Sequence, residues 1–267
     1  MADLTDHRFA FLDFETTGLS PWFGDRICEI GIVLTEGKRI RKTYQTLVNP
    51  GRDLSPAAAS LNGLTDAELA TAPPFEEVAD ELSTYLRDVV VVCHNARFDL
   101  QFLDSEFQRM GQEMQISNLI DTLYIAREYF ELPSNSLRSV ADDFGVPMDE
   151  DRQALADALL CRSIFFAMMD AIQPSDGKPD EFIGIYNSPA WPNDGIHLPV
   201  ELNEAIQSGK RLRVTYVDGK GIRSQRWITP HQVIGLSDYL YLQAYCHLRS
   251  EDRSFRLDRI VEMGIEA

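Results

Sequence analysis

The sequence predicts two domains of different class: an α/β domain with a mixed sheet flanked by helices over residues 1–172, and a small all-β barrel or sandwich over 197–267. Three observations predict it. Hydrophobic periodicity alternates between strand-like and helix-like segments up to about residue 172 and is strand-like after 210. Between them, QPSDGKPDEFIGIYNSPAWPNDG holds four prolines and three glycines in 23 residues. That is the composition of a linker, placed at 173–196. Charge divides at the same point. Residues 210–260 carry ten Lys/Arg and five Asp/Glu, about +5, whereas the whole chain is at −17, so the remainder holds about −22.

In the first domain, RFAFLDFET, ICEIGIVL and TYQTLVNP have the alternation of strands, and VVVVC is apolar enough for a strand buried on both faces. Helices are expected near 75–87, 98–110, 120–130 and 152–170. After the linker, the short helix PVELNEAIQ precedes RLRVTYV, a turn at Asp218-Gly219, RSQRWIT, HQVIGL, YLYLQAYC and SFRLDRI, all β-rich and alternating.

With 267 residues, 44% of them hydrophobic, the chain can bury two modest cores. Cys28, Cys93, Cys161 and Cys246 are scattered through apolar segments with no CxxC and no His at ligand spacing, so they are expected as reduced core residues. The N-terminal MADLTDHR has no leader pattern, and no stretch approaches the roughly 18 apolar residues of a membrane span. A cytoplasmic location without a membrane partner is the expectation. The net charge of −17 argues against a nucleic-acid partner at first sight, but the basic tail keeps one open.

Chemistry is concentrated in four carboxylates. In FLDFETTGL, Asp13 and Glu15 lie on one face of a strand about 7 Å apart, with Phe14 on the other. Two like charges on a buried strand repel and take up protons unless cations lie between them. In VVVVCHNARFDLQFL, Asp99 shares a helix face with Phe102, Leu103 and Met110. A helix cap is the alternative role there, and Asp121 in LIDTLYIAR is read as such a cap. In DRQALADALLC, Asp157 lines up with Ala154, Leu160, Cys161 and Ile164 on the apolar side of a helix. Together the four suit a pair of Mg²⁺ or Mn²⁺ ions, a device that clamps a phosphodiester between attacking and leaving oxygens. The chain offers no Walker-type loop, Gly-x-Ser-x-Gly or Cys/His pair for another chemistry.

On these motifs the first domain resembles the DEDD (DnaQ-like) 3′-5′ exonucleases. The resemblance extends through ICEIG, SLNGLTDAEL with PPFEEV, DTLYIAR and SLRSVADDFGV, over about residues 1–172. It implies a ribonuclease-H-like fold and metal ligation by Asp13, Glu15, Asp99 and Asp157. It also implies a pocket for the 3′-terminal nucleotide of a single strand at Thr16, Thr17, Gly18 and Leu19. One position departs from the pattern. Where the histidine branch of the family has its general base, five residues before the last Asp, stands Arg152, and the tyrosine branch's position is Gln153. A lost base slows such a reaction by about 10²- to 10⁴-fold, whereas a lost metal ligand removes it. Two functions therefore follow: a slowed exonuclease, in which Arg152 grips a phosphate oxygen, or a silent platform that binds metal and nucleic acid while the tail acts as sensor.

The tail resembles the WYL domain, an Sm-like β-barrel module, through YLYLQAYCHLRSEDRSFRLDRI, with Leu240 in place of Trp. The resemblance implies a ligand groove at Tyr241, Arg253, Arg256 and Arg259 for nucleic acid or a nucleotide-like ligand. The alternative for these arginines is a solvated strand face paired with Glu251 and Asp258. Arg213, Arg223 and Arg226 add to the basic surface.

Overall fold

The computed structural model describes residues 7–114, 116–148, 153–172, 182–183, 198–236 and 239–266. Arg152 and nearly all of the proposed linker lie outside them. The first domain is built on a five-stranded mixed sheet of order β3-β2-β1-β4-β5. Strands β1 (Arg8–Thr16), β2 (Ile27–Glu36) and β3 (Arg39–Leu47) form an antiparallel meander. Strand β4 (Val90–Cys93) runs parallel to β1, and β5 (Leu119–Asp121) parallel to β4.

The pleat of β1 sorts its residues between two helical layers. Ala10, Leu12 and Phe14 face a core completed by α3 (Phe75–Leu86) and α4 (Ala96–Arg109). Phe9 and Phe11 face the opposite core, formed with α5 (Thr122–Tyr129), α6 (Leu137–Asp143) and α7 (Ala154–Ala171). Continued at the same period, that second face carries Asp13 and Glu15 toward α7. The short helices α1 (Pro56–Asn62) and α2 (Asp66–Leu69) follow the meander, each with an N-cap from its own sequence, Ser55 and Thr65.

Helix α7 crosses β2 at Gly31, and only glycine fits there. A Cβ on Gly31 would lie 2.2 Å from the Ala154 carbonyl carbon and 2.3 Å from the Leu155 nitrogen. Two residues back on the same face, buried Glu29 accepts the Ala154 N–H at 3.1 Å and a Gln45 Nε2–H at 2.8 Å. A carboxylate facing the first turn of a helix meets both its unpaired amides and the positive end of its dipole. Gly31 is directly opposite Asp13 in the β1–β2 ladder, so the contact fixes α7 beside the acidic end of β1.

The second domain is a five-stranded antiparallel sheet of order β10-β6-β7-β8-β9, covered by α8 (Val200–Ser208). Its strands are β6 (Leu212–Val217), β7 (Arg223–Leu236), β8 (Tyr239–Cys246), β9 (Glu251–Arg256) and β10 (Ile260–Ile265). The all-β expectation is met as a sheet, and no ladder closes β9 onto β10 among the described residues. RSQRWIT and HQVIGL are one bent strand, β7, whose register shifts between Pro230 and Gln232, where proline has no N–H for the ladder. SFRLDRI does not stay extended: a 3-10 turn, Leu257–Arg259, divides β9 from β10. Residues 120–121, expected to open a helix, instead end strand β5, too short to show a period.

The two domains pack together through the loop after β1. Leu19 and Phe23 reach into the second core, and α1 lies against β10 and the Leu257–Arg259 turn. On the other flank, Glu204 of α8 accepts from Ser134 Oγ at 2.9 Å and from Asn135 N and Nδ2 at 3.0 Å.

The Gly31 contact makes a sharp prediction. Gly31→Ala should cost about 1–3 kcal/mol by overpacking α7 and lower the Tm by about 4–10 °C. Gly264→Ala, whose Cβ would meet nothing within 4 Å, should shift Tm by about 2 °C or less. Calorimetry on the two variants makes the comparison.

Candidate active site

Carboxylate oxygens of Asp13, Glu15 and Asp157 converge to within 4.8 Å of one another. The strand alternation of β1 supplies the first two, and the Gly31 crossing places the first turn of α7, with Asp157, above them. All three are half-buried, which leaves the cluster open to an incoming ion. Burial first, and then the neighbouring Asp99, Asp157, Glu15 and Glu29, push the Asp13 carboxyl well above the usual carboxylate range. Three hard oxygen donors this close repel one another, and a divalent cation such as Mg²⁺ or Mn²⁺ neutralises that repulsion. The residues present fit such an ion.

Asp99 approaches from the opposite layer and stands apart from that trio. Strand β4 pairs with β1 only as far as Phe11, so the next stretch of β1 is open on that side. Asp99 uses the opening: its Oδ1 accepts the Phe14 N–H at 3.2 Å, and the side chain is 3% exposed. Burial raises its carboxyl well above the usual range, opposed by the Phe14 N–H and reinforced by Asp121. Asp99 therefore adds to the field at Asp13 from the open edge of the strand. The site lies where the parallel strands end and their neighbours diverge, a usual place for ligands in open α/β sheets.

Asp121 is the cap the sequence indicates, and it serves two helices. Its carboxylate accepts from Leu123 N at 2.9 Å, Asn95 N at 2.9 Å and Ala96 N at 3.1 Å, joining the starts of α5 and α4. His94 is structural. Its ring nitrogens meet Thr122 Oγ1 and the Asn135 carbonyl, both at 2.9 Å, and burial lowers its pKa to about 4, so it is neutral at pH 7.

Arg138 of α6 completes the rim, with Nη2 at 3.4 Å from Asp157 Oδ1. Together with Gln45, Gln153, Leu155 and Ser163 it lines a cavity of about 250 Å³ beside Asp157. Neither Arg138 nor Glu29 was singled out by sequence reasoning, although both fall in the segments SLRSVADDFGV and ICEIG. Only their spacing from the acidic positions after folding reveals them.

The loop that follows β1 is folded onto itself. Thr16 Oγ1 donates to the Gly18 carbonyl at 2.6 Å, and fully buried Thr17 donates to Asp25 Oδ1 at 3.3 Å. A Cβ on Gly18 would fall 2.4 Å from the Asp25 carboxylate. Leu19 turns to the second domain. Of the four residues expected at a nucleotide pocket, Thr17 and Leu19 are thus engaged in holding the loop.

The expected groove of the second domain is brought together only in part. Tyr241 and Arg256 are cross-strand partners in β8 and β9. Arg253 projects from the opposite face of β9 by strand alternation and pairs with Glu251 at 3.1 Å. Arg256 pairs with Asp258 through Nε at 3.0 Å, and its guanidinium carbon lies 3.4 Å from the Tyr239 ring centre. Both arginines pair with the carboxylates named in the alternative, Arg253 with Glu251 on an exposed strand face and Arg256 with Asp258 in the turn that follows β9. Arg259 sits beside Gly219 at the β6–β7 turn.

Known proteins place both domains. The sequence profile of the exonuclease family matches residues 10–165, and that of the WYL domain matches 199–265. The PolC-type DNA polymerase III of Thermotoga maritima is 36% identical over 169 residues, which are 63% of this chain and 12% of the polymerase. The chain thus spans about an eighth of that relative. Exonuclease X, solved in complex with 5′-overhanging duplex DNA, superposes with a TM-score of 0.50 at 25% identity, covering 63% of this chain and 95% of its own. Apo exonuclease I gives a TM-score of 0.57 at 16% identity and covers 95% of this chain and 63% of its own, a likeness of fold that runs through both domains.

The electrostatics of the site predict how stability depends on pH and metal. In chelator, the folded chain retains protons on Asp13 and Asp99 that the unfolded chain releases near pH 4. The folded state then binds more protons, so stability falls as pH rises from about 4 toward the raised folded values. Asp13→Asn should therefore raise the metal-free Tm at neutral pH by several degrees. Mn²⁺ at about 100 times its Kd should raise the wild-type Tm by about 5–10 °C, and Asp13→Asn should abolish that rise.

Proposed function

The chain belongs to the exonuclease family through residues 10–165, and we propose that it is a metal-dependent 3′-5′ exonuclease that removes nucleotides from the 3′ end of single-stranded DNA or RNA. The observation that carries the reading is the convergence of Asp13, Glu15 and Asp157 within 4.8 Å, with Asp99 at the open edge of the strand. Two Mg²⁺ or Mn²⁺ ions bound there would supply charge neutralisation and Lewis acidity at the scissile phosphate. Asp13, Glu15 and Asp157 would hold the ions, and Asp99 would contribute from the strand edge. Arg138 orients Asp157 and offers a cation to a non-bridging phosphate oxygen.

Arg152, outside the described residues, occupies the general-base position of the histidine branch. With His94 neutral, half-buried and doubly bonded, no nearby imidazole among the described residues replaces it. The reading is an enzyme slowed at proton abstraction. The second domain, a WYL domain over 199–265, holds the loop that follows the first carboxylates and so forms part of the substrate approach.

A 5′-labelled single strand incubated with the full chain and Mn²⁺ tests this directly. A ladder that shortens from the 3′ end, absent for Asp157→Asn, is the expected result. An intact strand that shifts on a gel would instead favour the silent platform. Arg152→His should raise the rate by about 10²-fold, with the gain growing as pH passes about 6.5, because only the neutral ring accepts a proton. Arg152→Ala, which removes the cation without adding a base, should give no such gain.

A further inference from the structure

Trp22 is 71% exposed, more than any other large hydrophobic side chain among the described residues. It sits at the centre of the 3-10 turn Pro21–Phe23, seven residues beyond Glu15, so it lies at most about 24 Å along the chain from the carboxylates. The turn is rigid. Phe23 N and Asp25 N both donate to the Ser20 carbonyl, at 3.1 and 3.2 Å, and Ser20 N donates to Asp25 Oδ2 at 3.1 Å. Gly24 closes it with a φ of +81°. Arg26 then anchors the loop to α4 by a two-pronged pair with Glu106, at 2.7 and 2.6 Å. A ring held outward by this much fixed structure is displayed, not left over.

The surface beside it continues onto the second domain. Phe23 enters the second core and lies so close to Gly235 that a Cβ there would be 2.8 Å from its ring. Next to Gly235, Leu236 is 61% exposed, and its cross-strand partner Tyr239 is 40% exposed under the Arg256 guanidinium. An apolar strip thus runs from Trp22 over the domain seam to an arginine-capped tyrosine.

We propose that this strip is the path of the substrate strand away from the carboxylates, with Trp22 as the platform on which a base near the 3′ end stacks and Tyr239–Arg256 as the next contact. The inference rests on the exonuclease reading and adds the route of the strand. Aromatic faces interleaved with a guanidinium suit nucleobases, each of which presents a π face, and the stacking is indifferent to sequence. Trp22 stands on the loop that leads directly out of the carboxylate-bearing strand β1, which favours a substrate strand over a protein partner.

Binding of a 5′-fluorescein ten-nucleotide single-stranded DNA to the full chain in EDTA, read by anisotropy, tests the route without cleavage. Trp22→Ala should weaken binding by about tenfold or more, and Trp22→Phe, which keeps a ring, should stay within about threefold of wild type. Equal affinity for wild type and Trp22→Ala would overturn the proposal. So would equal losses in both variants accompanied by a lower Tm, which would make Trp22 a structural residue. Concentration-dependent self-association that Trp22→Ala abolishes would also overturn it, since the strip would then be covered by a second copy. Failure of the exonuclease reading is separately visible, as a wild type that binds the strand but leaves it intact in Mn²⁺.

Discussion

The passage of α7 over Gly31 is the constraint on which the site depends. A helix whose backbone comes within contact distance of a strand can carry a short side chain such as Asp157 to the carboxylates on the neighbouring strand. With any larger residue at 31 the helix would stand off, and an aspartate would no longer reach. Glu29 sets the height and phase of the helix by accepting its first amide, so position and rotation of Asp157 come from one strand of two alternate residues. The rest of the layer follows: Phe165 and Phe166 of α7 pack against Phe9 and Phe11, which share their strand face with Asp13 and Glu15.

The charge gathered there shapes the behaviour of the fold. Burial first, and then neighbouring carboxylates, Asp99 and Asp157 at Asp13 and Asp121 at Asp99, raise both groups, so the metal-free protein holds protons at the site and is strained as they leave. Divalent ions relieve that strain, which couples binding to stability. The second domain is joined to this centre mechanically. Leu19 and Phe23 link it to the loop after β1, and Glu204 links it to the Ser134–Asn135 turn against which His94 rests. It packs against two segments of the first domain, the loop that follows the carboxylates of β1 and the Ser134–Asn135 turn, so its removal would leave both without that support.

Much of this was legible in the sequence, for physical reasons that differ by residue. Asp13 and Glu15 stood out because period-two alternation puts them on the face of Phe9 and Phe11, where bare charge is costly. Asp157 stood out because the surrounding helix is apolar on that side. Asp99 left two roles open, and its actual contact, a strand amide exposed where β4 ends, depends on where two strands part. Glu29 and Gly31 could not be read at all, since a glutamate in an alternating strand looks like any polar face until a helix end arrives beside it. The arginines of β9 were read toward a groove, yet each has a carboxylate two residues away, Glu251 on the same strand face as Arg253 and Asp258 in the 3-10 turn just after Arg256, and the ion pairs form there. Arg152 remains a feature of the sequence.

The most direct test of the account is the position of the metal. Crystals of the full chain soaked in Mn²⁺ and measured at a wavelength where manganese scatters anomalously would locate it without reliance on activity. The account predicts anomalous density bounded by the Asp13, Glu15 and Asp157 carboxylates, with oxygens at about 2.0–2.3 Å, and its loss in Asp157→Asn. Density elsewhere, or none at this cluster in crystals whose dissolved protein degrades strands with Mn²⁺, would contradict it.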